Sequence, residues 1–370
     1  MSSTHSRNRF RSLLPITAIL LTVAADPCPA QAPGPPGFVQ RAGTGLVLDG
    51  APYVFTGLNI YNAATASGTC WYPMATDGVL DATLTATGPG KEAFRAWFFQ
   101  YEATTDGRRD WSTFDRTLAT ARAHGQKVIA TLIDQWGNCE GWSDPEAGYK
   151  NEAWYQEGYR QTPTGPGLPA TYREWVSEVV TRYRDDPTIL AWQLVNEAEA
   201  GTALHGTCPA TATASLVGFA TDMAALVKSI DTHHLLSLGS IGSGQCGMRA
   251  EEYKTVHAVN GIDLCEYHDY DHPTEPVPGD EWNGLAVRLA QCQELSKPLF
   301  TGELGLRPGE ADGTLAGRAG LLDAKLRGQL SAGGVGVLVW AWRNAEHGGS
   351  TLDDFYLGPD DPALTVLAAY

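Results

Sequence analysis

Two glutamates stand where long apolar stretches of the sequence end, and their positions suit a catalytic pair. Residues 189–199 begin as an almost continuous apolar run that ends abruptly in Asn196-Glu197. Residues 298–306 have the same character and carry Glu303 near their end. Runs that are apolar on both faces are typical of strands buried in a parallel sheet. A single glutamate after such a run is more often a surface charge, but two at matched positions favour an active site at the carboxyl end of a barrel.

Two carboxyl groups without a cofactor suffice for glycoside hydrolysis, in which one protonates the leaving oxygen and the other attacks the anomeric carbon or guides water to it. A separation of about 5–5.5 Å between them would mean retention of configuration through a covalent glycosyl-enzyme. Neighbouring groups must then separate the two pKa values. Arg95 and Tyr270, at other predicted strand ends, are expected to hold Glu303 as a carboxylate, and His268 is expected to tune Glu197.

The remaining side chains at predicted strand ends are suited to binding a sugar. Asn196 is expected to form a hydrogen bond with the 2-hydroxyl, a contact that tightens in the transition state. Trp340 is expected to form a floor under the sugar ring, and Trp136 offers a second aromatic face. The candidate site set is therefore Glu197, Glu303, Arg95, Asn196, His268, Tyr270, Trp340, Trp136 and Asn59, without a metal or a cofactor.

The elements that must position these side chains alternate strand and helix along the chain. Strands are predicted at 53–61, 93–99, 127–134, 189–199, 234–240, 262–270, 298–306 and 335–342, with helical patterns between them. A doubly wound open sheet is the alternative, with less support than a closed barrel. The pattern predicts one (β/α)₈ barrel, a TIM barrel, over residues 38–370. A short amino-terminal hairpin over 38–52, turning at Asp49-Gly50, is expected to plug its bottom.

Residues 1–32 have the features of a secretory signal peptide. A basic region with three arginines precedes an apolar stretch at 13–25, and Ala30-Gln31-Ala32 offers a cleavage site. An uncleaved membrane anchor is the alternative, less favoured because the stretch is short and contains Pro15. Residues 33–37 form a predicted linker. The mature protein is therefore expected to be extracellular.

The cysteines agree with export. Cys28 would leave with the signal peptide, and six cysteines would remain: Cys70, Cys139, Cys208, Cys246, Cys265 and Cys292. An even number in an exported chain predicts up to three disulfide bonds, and the sequence does not select among the possible pairings. No close Cys-x-x-Cys or Cys/His cluster supports the rival interpretation, a metal site.

The charge of the chain restricts its partners. The 26 basic and 42 acidic side chains give a formal net charge of −16. A surface of that sign repels nucleic acids and anionic membranes. A neutral β-linked oligosaccharide or polysaccharide is the expected partner, and the protein is expected to act as a monomer without membrane attachment.

At five motifs the chain resembles glycoside hydrolase family 5, a family of retaining (β/α)₈ glycosidases. The motifs are Phe94-Arg95-Ala96-Trp97, Leu194-Val195-Asn196-Glu197, His268-Asp269-Tyr270, Thr301-Gly302-Glu303 and Val339-Trp340-Ala341-Trp342. The resemblance implies that Glu197 is the acid/base and Glu303 the nucleophile. It also implies that Arg95, Asn196, His268, Tyr270 and Trp340 surround the sugar at the −1 position.

Two details are similar to the endo-β-1,4-mannanase branch of that family. They are the stretch 56–61 in the first predicted strand and the stretch 132–136 at the end of the third predicted strand. Asp134-Gln135 departs from the Asn-Asn-Trp-like turn of mannanases and also lacks the histidine of many cellulases. The alternatives left open are an exo-acting β-glycosidase, a cellulase or glucomannanase, and a carbohydrate-binding barrel without catalysis. A metal-dependent amidohydrolase would need a His-x-His cluster, which the sequence lacks.

Overall fold

The computed structural model of the chain describes residues 35–65, 70, 72–76, 78–88, 93–270 and 272–370. The first elements are three antiparallel strands, β1 (Val39–Ala42), β2 (Gly45–Leu48) and β3 (Ala51–Tyr53). Asp49-Gly50 connects the last two as predicted, with the positive φ angles, 51° and 82°, that such a turn needs. The first strand adds a second hairpin that was not predicted. The predicted signal peptide lies outside the described residues and stays a prediction, as does the domain boundary at residue 38.

The apolar runs form one parallel barrel, which confirms the predicted fold. In chain order the strands are β4 (Phe55–Asn59), β5 (Ala93–Trp97), β6 (Thr104–Thr105), β7 (Arg108–Arg109), β8 (Lys127–Thr131), β9 (Ile189–Gln193), β10 (Leu235–Ser237), β11 (Cys265–Asp269), β12 (Leu299–Leu304) and β13 (Gly336–Val339). Apart from the separate β6–β7 hairpin, they pair in the order β10-β9-β8-β5-β4-β13-β12-β11. A parallel bridge between Ser237 and Leu264 joins the two edges of this sheet.

Helices surround the barrel and bury one face each. They are α1 (Val79–Thr87), α2 (Ser112–Ala123), α3 (Pro145–Gly148), α4 (Tyr159–Gln161), α5 (Tyr172–Tyr183), α6 (Ala212–Ile230), α7 (Glu251–His257), α8 (Leu285–Glu294), α9 (Leu315–Ser331) and α10 (Ala363–Leu367). In α5, the capping box between Thr171 and Glu174 satisfies backbone N–H groups at the start of the helix. Trp175, Val176 and Val179 then recur at helical spacing on its buried face.

One helix of the described residues, α6, has the length and apolar composition that would suffice to cross a membrane. Its buried face includes Leu216, Phe219, Met223 and Val227, which belong to the hydrophobic core around the barrel. The helix therefore has the composition of a core helix, and these features alone are weak support for a membrane span.

The small antiparallel sheet lies at the amino-terminal end of the barrel. Val39, Leu46 and Tyr53 pack in one buried cluster with barrel residues such as Leu190 and Phe300. This contact agrees with the predicted plug. Apolar side chains therefore fill the amino-terminal end of the barrel, and the candidate polar residues lie at its carboxyl end.

All six cysteines of the predicted mature chain are paired, which confirms three disulfide bonds. The pairs are Cys70–Cys139, Cys208–Cys246 and Cys265–Cys292. The first ties the segment after β4 to the loop after β8, and the second ties the loops after β9 and β10. Both therefore restrain loops at the carboxyl end of the barrel, where the candidate site lies.

Candidate active site

Every side chain of the predicted set lies at the carboxyl end of the barrel. Four of them lie on strands: Asn59 on β4, Arg95 on β5, His268 on β11 and Glu303 on β12. The others lie in the segments that follow strands: Trp136 after β8, Asn196 and Glu197 after β9, Tyr270 after β11 and Trp340 after β13. Because carboxyl ends of parallel strands meet at one rim of a barrel, residues far apart in sequence come into contact here. The sequence therefore predicted the membership of the cluster.

Glu303 is held at both of its carboxylate oxygens. Arg95 Nη1 donates to Oε1 at 2.7 Å, and the Tyr270 hydroxyl donates to Oε2 at 2.5 Å. The same Arg95 nitrogen donates to Asn59 Oδ1 at 2.9 Å, and the arginine is completely buried. Asn59 in turn donates to the carbonyl of Gly302, next to Glu303 in the chain. Two donors with fixed partners thus orient this carboxylate.

Glu197 is held by a different pair of donors. Trp136 Nε1 donates to its Oε2 at 2.6 Å, and His268 Nδ1 lies 2.9 Å from its Oε1. The residue has a φ of 60°, in the left-handed region that non-glycine residues rarely adopt. Such strained conformations persist where the surroundings hold them and are frequent at active sites. The turn begins directly after Asn196, whose Nδ2 donates to Asp134 Oδ1 at 2.7 Å.

His268 lies between carboxylates. Its Nδ1 is 2.9 Å from Glu197 and 3.6 Å from Glu303, and its Nε2 is 3.3 Å from Glu266. Burial alone would lower its pKa, but the negative charge of Glu303 and the hydrogen bonds with Glu197 and Glu266 raise the pKa to about 10. The ring is therefore an imidazolium at neutral pH.

The two predicted catalytic carboxyls lie close together. Among the described residues, Glu197, His268 and Glu303 are the one cluster of at least three His, Cys, Asp or Glu side chains arranged to hold a metal ion. One candidate ligand atom from each lies within 4.8 Å of the others. A metal would have to displace the proton that His268 carries at neutral pH, because only the neutral ring offers a lone pair. The arrangement therefore favours two carboxylates bridged by a cation.

The pKa values of the two glutamates move in opposite directions. Burial would raise the pKa of Glu197, but the hydrogen bond and charge of His268, with help from Trp136 and Arg95, lower it below the ordinary value. Burial raises the pKa of Glu303 in spite of the charges of His268 and Arg95. The direction of the shift at Glu303 differs from the one that Arg95 and Tyr270 alone would give. Arg95 and Tyr270 do contact Glu303, but desolvation outweighs their effect on its pKa.

The two tryptophans of the predicted set are both partly exposed. Trp340 follows β13, and its backbone N–H donates to the carbonyl of Leu304, the residue after Glu303. Its ring stacks on that of Tyr61, with the ring centroids 5.2 Å apart. Trp136 has its ring 5.9 Å from that of Tyr149. The backbone of Trp340 thus bonds the residue that follows Glu303, and the side chain of Trp136 bonds Glu197.

Sequence reasoning missed two polar side chains inside the site, Gln193 and Glu266, and considered Asp134 only for its departure from the turn of mannanases. Gln193 and Glu266 each lie on a barrel strand, and both are completely buried. Glu266 is two residues before His268, and strand side chains repeat their direction every second residue. A polar residue in register with a predicted site residue is therefore the signal that would have found it.

A buried ion pair underlies the loop that carries Trp136. Lys150 Nζ lies 2.6 Å from Glu140 Oε2, and Glu140 Oε1 accepts from the backbone N–H of Asp134 at 2.8 Å. Both partners are almost completely buried. Burial raises the pKa of Glu140 from 4.5 to about 7 in spite of Lys150. The pair fixes the start of the loop beside Asn196 and Glu197.

Lys150→Met is expected to lower the free energy of unfolding by about 3–5 kcal/mol, because it leaves a buried carboxylate without its partner. Without Lys150, the pKa of Glu140 in the folded state should rise further above 7, whereas it stays near 4.5 in the unfolded state. The folded state then binds more protons in this interval, so stability falls as pH rises through it. Urea unfolding should therefore show a larger loss at pH 8 than at pH 5.

The matched control is the double variant Glu140→Gln/Lys150→Met. It removes both charges, so its stability should exceed that of the single variant at pH 8 and should depend less on pH. If the single variant lost the same free energy at both pH values, the charge of Glu140 would not be the cause.

Comparison with known proteins places this geometry in a family. The model of a family described as "GH family 5 beta-mannosidase-like" matches residues 172–272. Mannan endo-1,4-beta-mannosidase 1 of Oryza sativa subsp. japonica is 31% identical over 354 residues, which span 82% of this chain and 78% of the rice protein.

Two solved structures from Rhizomucor miehei have the same fold. Its endo-1,4-beta-mannanase superposes with a TM-score of 0.65 at 19% identity, covering 89% of this chain and 97% of that one. A glycoside hydrolase family 5 mannosidase has a TM-score of 0.59 at 17% identity, covering 90% and 96%. The barrel, the family match and the extended similarity to the rice protein agree: the chain is a glycosidase that belongs to glycoside hydrolase family 5, near its endo-β-1,4-mannanase branch.

Proposed function

We propose that the protein is a secreted, retaining endo-β-1,4-mannanase in which Glu197 is the acid/base and Glu303 the nucleophile. The observation that carries the mechanism is the closeness of the two carboxylates, each of which has an oxygen within 4.8 Å of the other's. Inverting glycosidases separate their carboxyls by about 6.5–9.5 Å to admit a water molecule, whereas retaining enzymes need about 5–5.5 Å. The short separation supports direct attack by one carboxylate.

The surroundings of the two glutamates support their separate roles. Glu303 is the deeper one, with 4% of its side chain exposed and both oxygens held by Arg95 and Tyr270. That fixed carboxylate is suited to attack an anomeric carbon above it. Glu197 is more exposed, at 17%, and so lies nearer the solvent into which a leaving group departs and from which water enters.

Substrate binding is expected to adjust the pKa of Glu197. This carboxyl keeps more contact with solvent than Glu303 does, so a bound sugar removes more water from it. Desolvation favours the neutral form of a carboxylic acid. The pKa of Glu197 should therefore rise on binding, as an acid catalyst requires, from a value that the contacts of this carboxyl within the protein hold below the ordinary one.

The reaction then proceeds in two steps. An oxygen of Glu303 attacks the anomeric carbon while the glycosidic bond breaks, and Glu197 gives its proton to the leaving oxygen. In the second step Glu197 takes a proton from water as the water oxygen attacks the same carbon, and Glu303 leaves as a carboxylate. Arg95 and Tyr270 stabilise that departing carboxylate, and Trp340 is placed to support the sugar ring.

Mannan is proposed as the substrate because the rice relative and the R. miehei structure bear mannanase names. The net charge of −16 suits a neutral polysaccharide. Export is supported by the predicted signal peptide and by three disulfide bonds, which persist in oxidising compartments. The match to mannosidase-like proteins keeps exo action as the second candidate.

The deciding experiment measures products from β-mannan, galactomannan, glucomannan, carboxymethyl cellulose, xylan and aryl β-glycosides. Mixed manno-oligosaccharides from mannan, with an unchanged rate in EDTA, are the expected result. Monosaccharide from aryl glycosides with intact polymers would instead mean exo action. A folded protein that binds mannan without turnover would overturn the proposal in favour of a binding barrel. Loss of activity in EDTA would overturn the metal-independent mechanism.

A further inference from the structure

A third carboxylate, Glu266, lies beneath the two proposed catalytic glutamates. It is on β11 and is completely buried. Its Oε2 accepts from the Ser237 hydroxyl at 2.7 Å, and its Oε1 accepts from the Gln193 amide and lies 3.3 Å from His268 Nε2. A charge buried this deeply is costly unless it is paired and hydrogen-bonded. Glu266 therefore has a defined set of partners, and His268 is the charged one.

The contacts of His268 determine which of its nitrogens carry protons. Nδ1 faces Glu197 Oε1 and Nε2 faces Glu266 Oε1, so ionised carboxylate oxygens, which only accept, lie at both ends of the ring. An imidazolium donates at both nitrogens, whereas a neutral ring has one N–H and would direct a lone pair at one carboxylate. The geometry therefore favours the cation.

We propose that Glu266 is a positioning residue that keeps His268 as a donor to Glu197 Oε1, so that the transferable proton of Glu197 stays on Oε2. This inference rests on the proposed role of Glu197 as the acid/base. A neutral His268 with a free lone pair on Nδ1 would accept the proton of Glu197 on Oε1 and withdraw it from the leaving group. Glu266 prevents that arrangement because its charge lies at the other end of the ring.

Glu266 is also connected, through Gln193, to Arg95, the residue that holds Glu303. Gln193 Nε2 donates to Glu266, and Gln193 Oε1 accepts from Arg95 Nε at 2.8 Å and from Thr131 Oγ1 at 2.6 Å. A carboxylate only accepts and a guanidinium only donates, so the amide has one satisfied orientation. Gln193 thus links Glu266 to Arg95, while the direct contact of Glu266 with the acid/base side of the site is through His268.

Gly302 leaves the space that this arrangement needs. A Cβ atom at this position would lie 2.1 Å from Glu266 Oε1 and 3.1 Å from His268 Nε2. Any side chain there would displace the carboxylate from the ring. The absence of a side chain at Gly302, directly before Glu303, therefore lets Glu266 lie next to His268.

The charges around His268 come from several elements. Glu266 lies on its own strand, Glu197 follows β9, and Glu303 lies on β12. Arg95 on β5 and the Tyr270 hydroxyl approach from beyond Glu303, which both of them contact. Removing Glu266 leaves the other two carboxylates in place, so its own contribution can be measured.

The first test compares substrates in Glu266→Gln, which keeps the shape of the side chain and removes its charge. Hydrolysis of mannan should fall by about 10²-fold, the lower range of a general-acid contribution, and that of aryl glycosides with good leaving groups by less than about ten-fold. Equal losses on both substrates would overturn the proposal, because a purely structural defect does not depend on the leaving group.

The second test needs no turnover and so separates this inference from the proposed function. In ¹⁵N-histidine NMR, with the His268 signal assigned from its loss in His268→Gln, wild-type His268 should stay protonated up to about pH 10. Its titration midpoint should fall by at least about one unit in Glu266→Gln, since a nearby carboxylate favours the cation. The control Glu199→Gln removes a rim carboxylate that bonds Tyr149 and should not move the midpoint.

Three results of the second test would overturn the proposal. They are a wild-type midpoint near 6.5, a midpoint that Glu266→Gln leaves unchanged, and an equal shift in the Glu199→Gln control. If Glu266→Gln does not fold, the wild-type titration still decides between a cationic and a neutral ring. If the protein hydrolyses none of the glycans, the proposed function fails while the titration result for Glu266 stands.

Discussion

Replacement of Glu303 by alanine is expected to reduce turnover of mannan by about 10⁴-fold or more, the scale of removing a covalent catalyst. Without this carboxylate no glycosyl-enzyme forms. The protein should stay folded, because Arg95 keeps hydrogen bonds to Asn59, Gln193 and Asn196 when it loses Glu303. Product release from mannan and thermal unfolding, compared with wild type, measure the two effects.

A small external nucleophile gives this prediction a stereochemical check. With an activated aryl glycoside, azide is expected to enter the space left in Glu303→Ala and attack the anomeric carbon from the side of the missing carboxylate. One displacement inverts the configuration, so the product should be an α-glycosyl azide. Glu303→Gln, which fills the same space, is the control and should not be rescued. A β-glycosyl azide from Glu303→Ala would contradict its role as nucleophile.

The second large effect is expected in Glu197→Ala, and it should depend on the substrate. Mannan has a poor leaving group that needs a proton, so its hydrolysis should slow by about 10³-fold. Aryl glycosides with acidic phenols leave without that proton, so formation of their glycosyl-enzyme should slow by about ten-fold or less. Water then attacks the glycosyl-enzyme slowly, because Glu197 is no longer present as the general base. Stopped-flow absorbance should therefore show a burst of phenol followed by a slow phase.

Azide again distinguishes the two glutamates. In Glu197→Ala it should attack the accumulated glycosyl-enzyme, speed the slow phase and yield a β-glycosyl azide, because two displacements retain configuration. Glu199→Gln is the matched control, since Glu199 lies two residues away and its carboxylate accepts from Tyr149. Equal losses of Glu197→Ala on mannan and on aryl glycosides would contradict its role as the acid/base.

The amino-acid sequence by itself predicted the barrel and nine of the side chains that cluster at its carboxyl end. Buried parallel strands have almost continuous apolar runs, so a polar residue that ends such a run stands out. Glu197, Glu303 and His268 were found in this way, whereas Arg95 interrupts the apolar run at 93–99. Because parallel strands of a barrel all end at one rim, no knowledge of their pairing was needed to predict that these side chains meet.

Only the tertiary structure decided which atoms contact each other. Gln193 and Glu266 meet because β9 pairs with β10 and a parallel bridge joins Ser237 of β10 to Leu264, just before β11. Periodicity shows that a side chain points inward, but it does not give its height relative to residues on other strands. The three disulfide pairings and the Glu140–Lys150 pair likewise depend on contacts that form only in the folded chain.

The order of the two pKa values was also a property of the folded site. The sequence placed Arg95 and Tyr270 near Glu303 correctly, but it did not show that burial raises the pKa of this carboxyl above its ordinary value. Desolvation depends on how completely neighbouring chains exclude water, and no residue pattern records that quantity. The sequence therefore indicated which groups could perform the chemistry, whereas the folded chain decided the direction of each pKa shift, through the contacts of Glu197 with His268 and through the burial of Glu303.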